Sequence, residues 1–218
     1  MTTRYPVDRR RLLRGTAALA LAAPTVAACG SLPGLSEPPD LYTLTPKSTF
    51  PQDLPRVDWQ LLVEPATAAA ALDTVRIALR RELTRIEYYA NVAWTERAPL
   101  MIQTLLVESF ENSDSIISVG RETFGLRADF VLKAELREFQ AEYVDDAGAP
   151  QVRVQINAKL VRMPERRIVA GQTFESLVDA DSRGFRDVIL AFDAALGDVL
   201  KDIVEWTLRT GQRDRGSA

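Results

Sequence analysis

The sequence predicts an α+β domain, a mainly antiparallel sheet with two helices packed on one of its faces. Three observations carry that reading. Residues 130–178 contain three long runs in which apolar side chains alternate with polar or small ones, joined by short turns, the pattern of an antiparallel meander. Residues 183–210 repeat apolar side chains at every third or fourth position, as an amphipathic helix does. Of the 218 residues, 46% are hydrophobic and 26% charged, a composition suited to one buried core. The chain divides into a cleaved leader (1–28), a short flexible tether (29–40), the folded domain (41–210) and a disordered tail (211–218).

The leader has the three parts of an export signal. An arginine-rich start (Arg4, Arg9, Arg10, Arg11, Arg14) precedes an apolar stretch from Gly15 to Ala28, and small residues precede Cys29. At 14 residues, mostly alanine, the stretch is shorter than the roughly 20 apolar residues a spanning helix needs. Val26-Ala27-Ala28-Cys29 resembles the bacterial lipobox, an aliphatic residue and two small ones before a cysteine whose thiol takes a diacylglycerol. Cleavage would then free its amine for a further chain, palmitate being a typical acyl group. The other reading is a peptidase site of Ala-x-Ala type with Cys29 a free thiol. One acyl chain holds a protein to a membrane only marginally, whereas two or more anchor it stably. Asp8 to Arg14, with Arg9 and Arg10 at its centre, also resembles a twin-arginine export signal, and an ordinary Sec signal rich in arginine is the alternative. Gly30 rather than aspartate follows the cysteine, which by analogy with bacterial lipoprotein sorting favours the inner leaflet of the outer membrane.

Gly30 to Asp40 (GSLPGLSEPPD) resists regular structure and reads as a spacer. Leu41-Tyr42-Thr43-Leu44 and Trp59 to Glu64 are short strand candidates, the second stopped by Pro65. Val75–Leu79 and Ile86–Tyr89 form a hairpin around residues 80–85. From Thr95, a candidate cap, to Glu111 apolar residues recur at helical spacing, with Pro99 in the first turn. Asn112-Ser113-Asp114 turns the chain into strand 115–119. Phe130, Leu132, Ala134 and Leu136 alternate, and then the apolar phase moves by one to Phe139, Ala141 and Tyr143, which requires a bulge near Glu138. Asp145-Asp146-Ala147-Gly148 is a hairpin turn, Val152 to Leu160 alternates without a break, and Met163 to Arg166 turns into strand 167–178. Phe185, Val188, Phe192, Leu196, Val199 and Ile203 mark the stripe of the last helix that closes over the sheet.

Composition narrows the chemistry. There is no histidine, and Cys29 is the sole cysteine, so His-dependent triads, structural zinc and intrachain disulfides are excluded and no metal site or cofactor is expected. The formal charge is −3. Beyond residue 28 it becomes −7, from 22 basic and 29 acidic side chains. Such a body has no long-range attraction to nucleic acid, and membrane attachment falls to the acyl chains.

With these elements in place, the chain resembles the ABC-type transport auxiliary lipoproteins, which include the PqiC-like lipoproteins of the bacterial envelope. The likeness rests on the order lipobox, spacer and Leu41-Tyr42-Thr43-Leu44, then on Tyr88-Tyr89-Ala90-Asn91-Val92-Ala93-Trp94 leading to a helix with Pro99-Leu100. Thr95 to Leu100 follows the tryptophan at a longer spacing than the family's pattern. The resemblance implies a non-enzymatic, lipid-anchored, periplasm-facing component. Its implied partners are an MCE-domain protein and the ABC permease and ATPase of the same system, and its implied task is to support lipid transport between the membranes. Oligomerisation is left open. A second reading is a lipid-binding module carrying apolar cargo in a cleft between helices and sheet. A third, a carboxylate hydrolase, has no visible nucleophile–base pair.

Among mature residues, Tyr88, Tyr89 and Trp94 form the densest aromatic cluster and are the candidates for partner contact. Their competing role is packing against the sheet under the middle helix, as expected also of Trp59 and Trp206. Two basic clusters, Arg80-Arg81 with Arg85 and Arg162 with Arg166 and Arg167, read as solvated charge.

Overall fold

The structure is a computed structural model and describes residues 38–121, 128–144 and 148–216. Their chain order is β1 (Asp40–Tyr42), β2 (Val57–Val63), β3 (Thr67–Ala68), β4 (Arg76–Glu82), β5 (Arg85–Trp94), α1 (Ala98–Asn112), β6 (Ile116–Gly120), β7 (Phe130–Glu142), β8 (Gln151–Arg162), β9 (Arg167–Asp179) and α2 (Phe185–Gly216). The leader, the lipobox with Cys29, the first residues of the tether and Asp145-Asp146 lie outside the described residues.

The α+β class read from the sequence is the observed one, and the sheet is mixed. Its long ladders are antiparallel: β7 pairs with β8 from Phe130↔Arg162 to Glu142↔Gln151, and β8 with β9 from Gln151↔Asp179 to Arg162↔Arg167. The hairpin β4–β5 is antiparallel too. The other edge of β7 is shared by three parallel partners in succession, β2 at Phe130–Leu132, β3 at Glu135–Leu136 and β4 at Gln140–Glu142. The sheet therefore forks. One prong continues from β2 to β6, the other from β4 through β5 to β1, also by parallel pairing at the two outer strands.

The expected bulge is present. Arg137 has no partner between Leu136↔Ile156 and Glu138↔Gln155, so Leu136 and Phe139 both face the helices although three positions apart. The uninterrupted alternation of β8 puts Val152, Val154, Ile156, Ala158 and Leu160 at 0% exposure. Over this surface lies α2, whose Val188, Phe192, Leu196, Leu200 and Ile203 are equally buried. Helix α1 packs on α2, β2 and β6. Trp94, Phe139 and Phe192 join the second prong, the central strand and α2, with ring centroids 5.1–5.5 Å apart. The interface that would hold apolar cargo between helices and sheet is thus filled by side chains, each of these residues removing its apolar surface from water.

Two element boundaries differ from expectation. Thr95 does not cap α1: its N–H extends the sheet by donating to the carbonyl of Tyr42. Arg97 takes the cap position without a side-chain cap bond, its guanidinium paired with Asp73, and Pro99 sits in the first turn as expected. Helix α2 runs on to Gly216, so residues 211–216 are helical rather than a tail. The apolar phase does not announce this extension because the contacts that hold it are a glycine, Gly211, against Trp59 and an acid, Asp214, between Arg162 and Arg167 at 3.2 and 2.8 Å.

Candidate functional site

Side chains of β7 that alternate away from the helices, with their register partners on β2, β4 and β8 and the β9 residues paired to β8, form the uncovered face of the sheet. At the end where β4 turns into β5 this face is an ionic lattice. Arg80 donates to Glu138 and Glu142 at 3.2 and 3.3 Å, and Arg153 reaches Glu175 at 2.6 Å and Glu142 at 3.9 Å. Gln140, with no exposure, is at its centre: its amide nitrogen donates to Glu138 and Glu142, and its amide oxygen accepts the N–H of Phe139 at 2.7 Å. That N–H falls between the stretches of β7 paired with β3 and β4, so Gln140 meets a backbone donor the fork leaves over. The bond to Glu175 holds the Arg153 guanidinium above its ordinary pKa.

At the opposite end, near the Met163–Arg166 turn, the same face is hollow. A groove of about 470 Å³ is lined by the apolar Leu62, Val131, Val161, Met163 and Ile168 and by the charged Glu64, Lys133, Lys159 and Arg166. Lys133 and Lys159 are register partners on β7 and β8, an opposition of like charges that is unfavourable unless an anion lies near. Glu64 pairs with Lys133, and Lys159 has no acidic partner among the described residues. A second hollow of about 310 Å³ continues from these lysines past Thr67, Glu135 and Asn157. The arrangement suits an apolar group carrying negative charge. No sequence motif marks these lysines. Their signal is phase, since each occupies an outward position of a strand whose inward positions are apolar.

The aromatic cluster is divided by the fold. Trp94 is 1% exposed and belongs to the core. Tyr88 is half-buried on the uncovered face, where Arg76 stacks 3.7 Å from its ring centroid and its hydroxyl donates to the carbonyl of Ala71. Tyr89 points the other way, edge-on to Phe185, and shares a 2.9 Å hydrogen bond with the Tyr143 hydroxyl. Burial, with that hydrogen bond, pushes the Tyr89 phenol above its ordinary pKa. Trp59 is fully buried against Phe130, and Trp206 meets Phe174 at the helix–sheet contact.

The basic clusters are paired as well as solvated: Arg81 and Arg85 with Glu87, Arg80 in the lattice, Arg162 and Arg167 with Asp214. Arg166 occupies a left-handed turn position (φ 56°) beside the groove. Asp53 is held below its ordinary pKa by a hydrogen bond from Arg209. Among the described residues no group of three acids, cysteines or histidines is placed to hold a metal ion, and no helix is long and apolar enough to cross a membrane. The most exposed large apolar side chains there are Leu83, at the β4–β5 turn, and Val144, just after β7, at 90% and 89%.

Comparison with known proteins adds a family. Residues 42–204 match the family described as ABC-type transport auxiliary lipoprotein component. Protein XCC0632 from Xanthomonas campestris, a crystal structure, is 33% identical, with 81% of this chain and 98% of that one aligned at a TM-score of 0.76. An uncharacterized protein of known structure shares the fold at 14% identity and a TM-score of 0.57, over 84% of this chain and all of its own. An uncharacterized protein of Bradyrhizobium diazoefficiens is 27% identical over 148 residues, 68% of this chain; the match spans about two fifths (39%) of that protein's length.

Proposed function

The chain belongs to the family of ABC-type transport auxiliary lipoprotein components, and we propose on that footing that it is an acyl-anchored docking component of an MCE-type lipid-transport system. It would be lipidated at Cys29, held at the inner leaflet of the outer membrane, and bound to the periplasmic MCE protein of its ABC transporter. The observation that carries docking, in preference to carriage of cargo within the fold, is the contrast between the two faces of the sheet. The helix-covered face is packed with residues of no exposure, while the uncovered one offers a partly apolar groove where Lys133, Lys159 and Arg166 outnumber the one acid, Glu64. An acidic or acyl-bearing segment of a partner would suit that groove by charge complementarity.

The test is affinity capture from detergent-solubilised membranes. Tagged protein should recover an MCE-domain protein together with the permease and ATPase, and the double variant Lys133→Glu, Lys159→Glu, folded by circular dichroism, should recover several-fold less. Recovery of no transporter subunit sinks the docking reading, and undiminished recovery by the double variant removes the groove from it. Cys29→Ser should move the protein into the soluble periplasmic fraction with its fold unchanged, and retention in the membrane would refute the acyl anchor.

A further inference from the structure

The direction in which the chain enters the domain bears on how the domain meets a bilayer. Strand β1 runs parallel to β5, with Asp40 beside Val92 and Tyr42 beside Trp94. Its N-terminal end therefore points toward the start of β5, which is the Leu83-Thr84 turn closing the β4–β5 hairpin. From the level of Val92 to Arg85 is seven strand residues, about 23 Å. Cys29 precedes Pro38 by nine residues, so the intervening chain spans at most about 32 Å. A bilayer at Cys29 is thus within reach of the hairpin end, and that is the end toward which the N-terminus of β1 points.

The same end carries Leu83 and Val144, the two most exposed large apolar side chains among the described residues. Both belong to this end because β4 and β7 are parallel there, Arg80 lying beside Glu142 and the N–H of Tyr143 donating to the carbonyl of Arg80. Among the described residues, the charges next to Leu83 pair with one another. Arg81 pairs with Glu87 at 3.1 Å, and Arg85 with Glu87 and Glu82 at 3.4 and 3.9 Å. Apolar side chains that protrude beyond paired charges fit a surface with an apolar interior.

We infer that the domain stands on the lipid surface by its β4–β5 hairpin end, with Leu83 and Val144 entering the headgroup layer, and that the Met163–Arg166 end with its groove faces away from that membrane. This rests on lipidation of Cys29. With a single cysteine in the chain, an introduced thiol in the acylated protein is the one available to a thiol-reactive probe. The variants L83C, V144C, I117C and I168C, labelled with an environment-sensitive fluorophore, are reconstituted as full processed protein in phosphatidylethanolamine/phosphatidylglycerol vesicles containing nitroxide-bearing phospholipid. Ile117 and Ile168 are also exposed, at 68% and 59%, and lie toward the other end. Probes at 83 and 144 should be quenched several-fold more strongly than probes at 117 and 168, with the difference kept at high salt. Equal quenching at the two ends, or stronger quenching at 117 or 168, overturns the orientation. The intact mass of the same preparation separates the premises, because a polypeptide without its acyl increment fails the anchoring reading and takes the inference with it, whereas an acylated one quenched at the wrong end fails the orientation alone.

Discussion

At Gly211 the indole beneath the helix dictates the residue. A Cβ there would lie 2.6 Å from Cζ2 of Trp59 and within 3.1–3.2 Å of two further ring atoms. Trp59 is itself immobilised at 0% exposure against Phe130. Alanine in a helix interior ordinarily gains up to about 1 kcal/mol over glycine, but overpacking a filled core costs about 1–3 kcal/mol. Gly211→Ala should therefore lower stability in denaturant unfolding, and the loss should shrink when Trp59→Phe is made in the same chain, because the two positions share one contact. Tyr89 supplies a second test at this scale. In the unfolded chain a tyrosine loses its proton near pH 10, whereas burial and the Tyr143 hydroxyl keep Tyr89 protonated in the fold to higher pH. Above about pH 10 the folded state then binds more protons than the unfolded one, so stability falls as pH rises. Unfolding curves taken at increasing alkalinity should show that decline in the parent and a flatter one in Tyr89→Phe.

Among the elements, β7 shows how a local irregularity keeps a long strand in phase. Its 13 residues face 12 on β8, and Arg137 is the surplus one. Removing Arg137 would restore strict alternation, with Leu136 inward, Glu138 outward and Phe139 inward. Removing Glu135 instead would send Leu136 outward and Arg137 into the core, the inversion that a one-residue slip produces. Deletion of Arg137 should leave a cooperative thermal transition, and deletion of Glu135 should abolish it. The two helices follow different rules. Helix α2 is specified by its stripe and lengthened by Gly211 and Asp214, while α1 begins where the sheet releases it, since Thr95 is committed to the Tyr42 carbonyl.

Across the whole molecule, what could be read in advance depended on how much of each interaction is local in sequence. The meander, the bulge near Glu138 and the stripe of α2 were legible because alternation and helical spacing are properties of neighbouring residues. The fork was not, because β1, β3 and β6 have three, two and five residues, and their parallel pairings join segments distant along the chain. The groove was not legible for the same reason: Lys133 and Lys159 become neighbours only through the register of β7 on β8. Tyr88 and Tyr89 could be picked out as a pair, but their assignment to opposite faces follows from strand geometry. The fork also has a bearing on how the protein comes apart. Both prongs end on β7, so the β2–β6 and β4–β5–β1 branches are each held to the sheet through the strand whose other edge is paired along its whole length to β8. Amide hydrogens of β7 and β8 should be the last to exchange with deuterium, at rates set by global opening, while those of β1, β3 and β6 exchange through local fraying. One cooperative melt, rather than a two-stage loss of branches, is the thermodynamic signature that such a shared strand imposes.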